Sequence, residues 1–169
     1  MTDPAATDPT PYYQLTPSAV IDAVESTGRL SDSRILALNS YENRVYQVGI
    51  EDQSPVIAKF YRPGRWSDEQ IIEDHKFSQE LLDKEIPVVA PLKNDDGQTL
   101  FVDGPFRFCL YPRVGGHAPE LDNLDTIYRL GQFMGRIHAV GKTKSFQHRV
   151  TFSIEHMIGK NAELIAKDF

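Results

Sequence analysis

Lys59 is the residue whose chemistry is hardest to explain as packing. It stands in Val56-Ile57-Ala58-Lys59-Phe60-Tyr61, a run that reads as a buried β-strand with Val56, Ala58 and Phe60 on one face and Ile57 and Tyr61 on the other. Stripping water from an ammonium is costly unless an anion replaces it. Either the strand is an edge strand and Lys59 snorkels to water, or the ammonium turns inward and needs a partner. A second charge poses the same problem shortly afterwards. Ser67 and Gln70 form a capping-box pattern that opens a helix to about Lys84. On a wheel of about 100° per residue, Ile71, Ile72, Phe77, Leu81 and Leu82 make its apolar stripe. Asp74 falls inside that stripe and Glu73 points well away from it. An inward Asp74 can bond a backbone amide or His75, or it can meet Lys59 and resolve both buried charges at once.

The remaining reactive side chains offer less. His75, His117, His138, His148 and His156 have no H-x-x-x-H or Cys/His ligand spacing, which argues against a zinc site. Cys109 lies in an apolar run and reads as an inert core thiol, and His138 as a structural group near a helix end.

Positioning Lys59 and Asp74 requires a sheet and a helix in a definite order. Residues 1–14 are rich in Pro, Asp, Thr and Ala and read as a disordered arm. A short helix follows, capped by Thr16 with Pro17 at its first position, apolar at Val20, Ile21 and Val24, and ended by Gly28. Strand-like runs Arg34–Leu38 and Val45–Ile50 flank the polar tip Asn39-Ser40-Tyr41-Glu42-Asn43-Arg44. After a turn over Asp52–Pro55 the Lys59 strand comes third, so the three predict an antiparallel meander. Beyond the Ser67 helix, turn signals at Asp95-Asp96-Gly97 and Asp103-Gly104 bracket two further strands, Gln98–Val102 and Phe106–Tyr111. Pro112-Arg113-Val114-Gly115-Gly116 reads as a hinge. Asp122 can cap a long helix to about Val140, with Leu124, Ile127, Leu130, Met134 and Ile137 on its buried side, Gly131 and Gly135 allowing close approach, and Gly141 as C-cap. Residues from Ser153 onward predict another helix.

Bulk properties narrow the function classes. With 169 residues the chain can bury one good core. A formal net charge of −6 and no basic run argue against a nucleic-acid binder. A single cysteine forbids an internal disulfide, and neither a signal-like start nor a membrane-length apolar stretch is present, so the reading is a soluble, cytoplasmic protein without membrane partners.

A polar-tipped hairpin, a lysine on the third strand, a helix with an inward carboxylate, two more strands, a hinge and then helices is the order of the small lobe of the protein-kinase-like fold. The fold class expected is therefore α+β: an N-lobe over 15–113, with a five-stranded antiparallel sheet and one inserted helix, then a linker and the first helices of a C-lobe over 114–169. Leu38-Asn39-Ser40-Tyr41-Glu42-Asn43-Arg44-Val45-Tyr46, Ala58-Lys59-Phe60-Tyr61-Arg62-Pro63, Arg65-Trp66 and Pro87-Val88-Val89-Ala90-Pro91 resemble the bacterial stress-response kinase A family. These are serine/threonine protein kinases on the aminoglycoside phosphotransferase and choline kinase branch of the fold. The similarity runs from about Ile35 to His148, through Gly135-Arg136-Ile137-His138.

The resemblance implies ATP and magnesium as cofactors and a protein Ser/Thr hydroxyl as acceptor; an aminoglycoside, choline or homoserine-like acceptor is the nearest rival. It places Ser40 in the nucleotide-binding turn, where backbone N–H groups and a hydroxyl can meet phosphate oxygens although no glycine occurs from Leu38 to Val48. Lys59 matches the phosphate-binding lysine, with Asp74 or Glu73 as its carboxylate partner. The stretch around Leu110 and Pro112, read as an edge strand, matches the interlobe linker whose backbone holds adenine. The family's His-Gly-Asp catalytic loop and its metal-binding Asp do not occur here, so the catalytic and magnesium-holding residues are expected beyond Phe169. If the chain ended there, a noncatalytic nucleotide- or partner-binding module would be the alternative.

Overall fold

The computed structural model describes residues 12–151, 153, 154, 158, 159 and 162. Helix α1 spans Pro17–Glu25, and its start follows from local chemistry: the Thr16 side chain accepts from the Ala19 N–H, and Pro17 occupies a position whose N–H would have no helical partner. Gly28 takes φ +85° just beyond the helix end, as a residue without Cβ can at little cost. The arm expected over residues 1–14 falls on residues 1–11, outside the described ones, and on Tyr12–Gln14, which form a turn. Tyr12 in that turn stacks on Phe106 with ring centroids 6.2 Å apart.

Strands β1 (Ser31–Leu38), β2 (Arg44–Ile50), β3 (Gln53–Phe60), β4 (Phe101–Asp103) and β5 (Phe106–Pro112) form one antiparallel sheet in the order β1-β2-β3-β5-β4. The expected meander is present, with a tighter β2–β3 connection than expected. Asp52, at φ 55°, makes the turn, and Pro55 lies within β3. Strand β4 is shorter than expected because Gln98 to Leu100 run outside the ladder. Asn94 organises their approach, accepting the Gln98 N–H on its side chain and the Gly97 N–H on its carbonyl. Strand β5 is not an edge strand, since β3 and β4 flank it.

Register sorts the sheet into two faces. Ile35, Val48, Val56 and Pro112 form one cross-strand row, and Ala37, Tyr46, Ala58 and Leu110 the next. This face meets Leu15 and the Val20, Ala23 and Val24 side of α1 in the main core, where Phe60 stacks on Phe108 with centroids 5.1 Å apart. The opposite face carries the intervening rows Leu38, Val45, Lys59, Cys109 and Leu36, Gln47, Ile57, Tyr111. Period-2 alternation thus puts Lys59 on the face that α1 does not cover.

Helix α2 (Asp68–Asp83) begins with the expected capping box: Ser67 accepts from the Gln70 N–H, and the Gln70 side chain accepts from the Ser67 N–H. Of the expected stripe Ile71 and Leu81 are buried, Ile72 and Phe77 are half-buried and Leu82 is exposed, while His75 is buried among them. Ile71 joins Tyr61 and Cys109 in a second, smaller core.

Helix α3 spans Leu124–Gly141 and differs from expectation at both ends and along its side. Its cap is Asn123, whose side chain accepts from the N–H groups of Asp125 and Thr126, in place of Asp122. Gly141 is its last helical residue and Lys142 its C-cap. Leu124 (80% exposed), Ile127, Leu130 and Met134 are exposed, and no atom among the described residues would touch a Cβ at Gly131 or Gly135. The helix meets the lobe near its C-terminal end, where Val140 packs with Leu81 and Ile86, flanked by Phe77, Val88 and Ile137. The helix expected from Ser153 lies largely outside the described residues.

Because α2 starts on a reciprocal cap, Ser67→Ala should destabilise the protein by about 1 kcal/mol. A urea midpoint lowered with unchanged slope is the expected readout.

Candidate functional site

Lys59 sits on the central strand β3, hydrogen-bonded on both sides by β2 and β5, so protection of a sheet edge cannot be its role. The side chain is half-buried, and its Nζ lies 4.7 Å from the centroid of the Tyr61 ring. Among the described residues no ion pair joins it to Asp74 or Glu73. Around it the two cross-strand rows present Leu36, Leu38, Val45 and Ile57, with Leu36 57% exposed. The result is a mainly apolar floor with the Lys59 cation at one end, interrupted by Gln47 between Leu36 and Ile57, whose Oε1 accepts from Arg113 Nε at 3.0 Å. Such a surface suits a flat apolar group joined to an anion. The sequence reading missed Leu36, Leu38 and Val45 because membership of this face depends on register.

Behind Lys59 runs a buried polar chain. The Tyr61 hydroxyl lies 2.7 Å from His75 Nε2 and 3.4 Å from Cys109 Sγ, and His75 Nδ1 lies 2.8 Å from Thr99 Oγ1. Both imidazole nitrogens are therefore used by Tyr61 and Thr99, and the bond from Asp74 to His75, one of the alternatives open for that carboxylate, does not form. Burial pushes the His75 imidazole down to about 4; the Asp74 carboxylate pulls it the other way and Lys59 adds to the depression. Burial likewise raises the Cys109 thiol and the Tyr61 and Tyr111 phenols, and both Lys59 and Asp74 are felt at Cys109. Lys59 and Asp74 thus share one electrostatic neighbourhood without contact. At neutral pH this chain is uncharged, which fits the inert role expected of Cys109.

Glu73 has a different occupation. Its carboxylate accepts the backbone N–H groups of Gln147, His148 and Arg149 at 2.5, 2.9 and 2.8 Å. Partial burial would raise its pKa, but these three bonds outweigh it and hold the group below the ordinary carboxylate value. Of the two carboxylates expected to serve Lys59, Asp74 is the one whose oxygens the described residues leave uncommitted.

Ser40 is exposed in the β1–β2 turn, as a hydroxyl offered to a ligand would need to be. The turn itself is pinned by its neighbours. The Glu42 carboxylate accepts from Trp66 Nε1–H at 3.0 Å and lies 3.4 Å from the Arg65 guanidinium, its carbonyl accepts from the Tyr12 hydroxyl, and Asn43 Oδ1 accepts from the Arg62 N–H. At the other end of the floor, the Leu110 side chain is fully buried on the opposite face and its carbonyl accepts the Leu92 N–H at 2.7 Å. Pro112 is exposed and has no N–H to donate. A cavity of about 510 Å³ opens elsewhere, lined by His75, Lys76, Gln98 and Thr99 among others; Lys59 is not in its wall.

Comparison with known proteins identifies this architecture. The sequence profile of the phosphotransferase enzyme family (APH) matches residues 34–164. The chain belongs to the phosphotransferase enzyme family. Within that family it is 41% identical over 147 residues to stress response kinase A of Escherichia coli K12, covering 87% of this chain and 44% of the relative. It is 43% identical over 138 residues to the serine/threonine protein kinase RdoA of Salmonella typhimurium, covering 82% of this chain and 42% of that protein. The chain therefore spans less than half the length of these curated relatives. Solved structures of an amicoumacin kinase (TM-score 0.67, 18% identity, 92% of this chain and 54% of the other) and a microcompartment-associated aminopropanol kinase (TM-score 0.65, 20% identity, 85% and 47%) share the fold. This phosphotransferase-family chain is thus α+β with the protein-kinase-like five-stranded sheet, as its sequence predicts. Among the described residues, no cluster of three or more His, Cys, Asp and Glu side chains could hold a metal ion, and no helix is long and apolar enough to cross a membrane.

His75 makes stability pH-dependent with a definite sign. Its folded pKa of about 4 lies below the ordinary value of 6.5, so the unfolded chain binds the extra proton between these limits. Stability should be fully present above pH 6.5 and fall as pH drops toward 4, by up to about 3 kcal/mol. His75→Gln should flatten that part of the stability–pH curve, measured by denaturant titration across pH 4 to 7.

Proposed function

We propose that this chain forms the nucleotide-holding lobe, and the start of the second lobe, of an ATP-dependent kinase that phosphorylates Ser/Thr hydroxyls of proteins in a stress response. The observation that carries the reading is Lys59: a cation on a central strand, at the end of an open apolar floor, without a carboxylate in contact. Its ammonium would hold the phosphate oxygens of ATP, which supply the anion that the strand environment lacks. Leu36, Leu38, Val45 and Ile57 would pack on the adenine and ribose. The backbone from Leu110 through Pro112 into the linker would supply the adenine-facing edge; the Leu110 carbonyl is already taken by Leu92, which moves that role toward Pro112 and beyond. Ser40 and the N–H groups of its turn would meet the phosphate tail. Asp74 would orient Lys59 from α2, the shorter carboxylate being brought close by its helix.

ATP supplies the transferable phosphoryl group, and magnesium would neutralise its charge. The residues for the metal and for the acceptor hydroxyl are those the family resemblance implies beyond Phe169. The protein acceptor follows the name carried by the Salmonella relative. The 169 residues alone should bind ATP weakly and transfer nothing.

Titration calorimetry with Mg·ATP tests this directly. The wild-type chain should bind, and Lys59→Met should weaken binding by about tenfold or more, the loss expected for one charge-assisted phosphate contact. Equal affinity in the two proteins would contradict the role of Lys59. Phosphotransfer by the wild-type chain that vanishes with Lys59→Met would contradict the inference that its catalytic residues lie elsewhere.

A further inference from the structure

Between the Ser40 turn and α2 runs a series of contacts that neither packing nor nucleotide holding requires. The Glu42 carboxylate accepts from the Trp66 indole N–H at 3.0 Å. The Arg149 guanidinium lies over the same indole, 4.6 Å from its centroid, and Arg65 lies at 5.2 Å. Arg149 also belongs to the segment 147–149, whose three consecutive N–H groups converge on the Glu73 carboxylate. Gln70 Nε2 donates to the His148 carbonyl at 2.9 Å, so α2 grips both the donors and an acceptor of that segment.

We infer that Glu73 and Arg149 are positioning residues that couple the Ser40 turn to helix α2 through the indole of Trp66. The links run from the turn through Glu42, Trp66, Arg149 and the 147–149 backbone to Glu73. Each link is a charge-assisted hydrogen bond or a cation over an aromatic face, the kinds of contact that hold a direction as well as a distance. Glu73 is adjacent in sequence to Asp74, so the turn of α2 that carries the Lys59-side carboxylate also carries the anchor. The segment 147–149 follows α3, so a stretch more than 100 residues distant in sequence from the turn sets how the turn and α2 sit relative to each other. The part of this inference that concerns nucleotide rests on the function proposed above. The mechanical coupling does not.

Trp66 is the single tryptophan of the chain, which makes its indole a dedicated reporter. In ¹⁵N-labelled wild type the indole N–H should exchange slowly and its emission should resist acrylamide. Glu73→Gln should speed amide exchange at 147–149 by about tenfold. It should also speed exchange of the Trp66 indole N–H and raise acrylamide quenching, while β3 and β5 amides stay protected. Arg149→Gln should leave the 147–149 amides protected yet loosen the indole in the same way. If 147–149 responds to Glu73→Gln but the indole is unchanged in both variants, the contacts are independent local ones and the inference fails.

A second arm uses Mg·AMP-PNP. Wild type should show slower exchange at 147–149 on binding, and Glu73→Gln should bind the analogue more weakly although Glu73 does not touch the Lys59 floor. Nucleotide binding without protection at 147–149 would overturn the coupling. Failure of wild type to bind any nucleotide would overturn the proposed function, with the coupling then decided by the indole alone.

Discussion

An ammonium in the middle of a β-sheet must be answered by something, and most of what surrounds Lys59 can be understood from that constraint. Its strand is paired on both sides, so it cannot reach water along a sheet edge. The ring of Tyr61 takes one side of it, and the Tyr61 hydroxyl is in turn tied to His75 and Cys109. Those groups are all held neutral by burial, so none of them supplies a counter-charge. Asp74 is felt at His75, as Lys59 is, but among the described residues no ion pair joins Asp74 to Lys59. A neutral surround leaves the cation available to an incoming anion, which is what phosphate binding requires.

The scaffold keeps that arrangement open on one side. Alternation along β3 sends Val56, Ala58 and Phe60 into the core under α1, and the same alternation leaves Ile57 and Lys59 facing away from it. Had the strand slipped by one residue, Lys59 would lie under α1 and the core would be lost. Helix α2 then lies beyond β3, fixed at its start by the Ser67 cap and at Glu73 by the 147–149 backbone. Trp66 joins these supports to the turn that carries Ser40.

Much of this was legible in the residues. The capping box at Ser67, the Thr16-Pro17 helix start, the order of strands and the inward direction of Ile71 and Leu81 each follow from local chemistry that acts over a few positions, whereas the burial of His75 beside them was not foreseen. Long-range facts were not legible. Whether Lys59 lay on an edge or a central strand depended on where β5 inserts, between β3 and β4, and no local pattern encodes that choice. Glu73, which a helical wheel turns outward, proved to be a capture point for a segment more than 70 residues later. The apolar stripe of α3 was expected on a buried side, but a stripe says nothing about what covers it, and Leu124, Ile127, Leu130 and Met134 are exposed among the described residues. Asn123 took the cap from Asp122 because one residue of phase decides which side chain reaches the first free N–H groups.

The central claim is that the Lys59 face of the sheet is where nucleotide is held. Nuclear magnetic resonance of the ¹³C-methyl- and ¹⁵N-labelled chain, titrated with Mg·AMP-PNP, addresses it most directly. The account predicts shifts concentrated at the methyls of Leu36, Leu38, Val45 and Ile57 and at the amides of the Ser40 turn, with Val20, Val24 and Val48 on the opposite face unmoved. Shifts centred instead on the cavity walls at Ile72, Thr99 and Val102, or spread evenly over both faces, would contradict it.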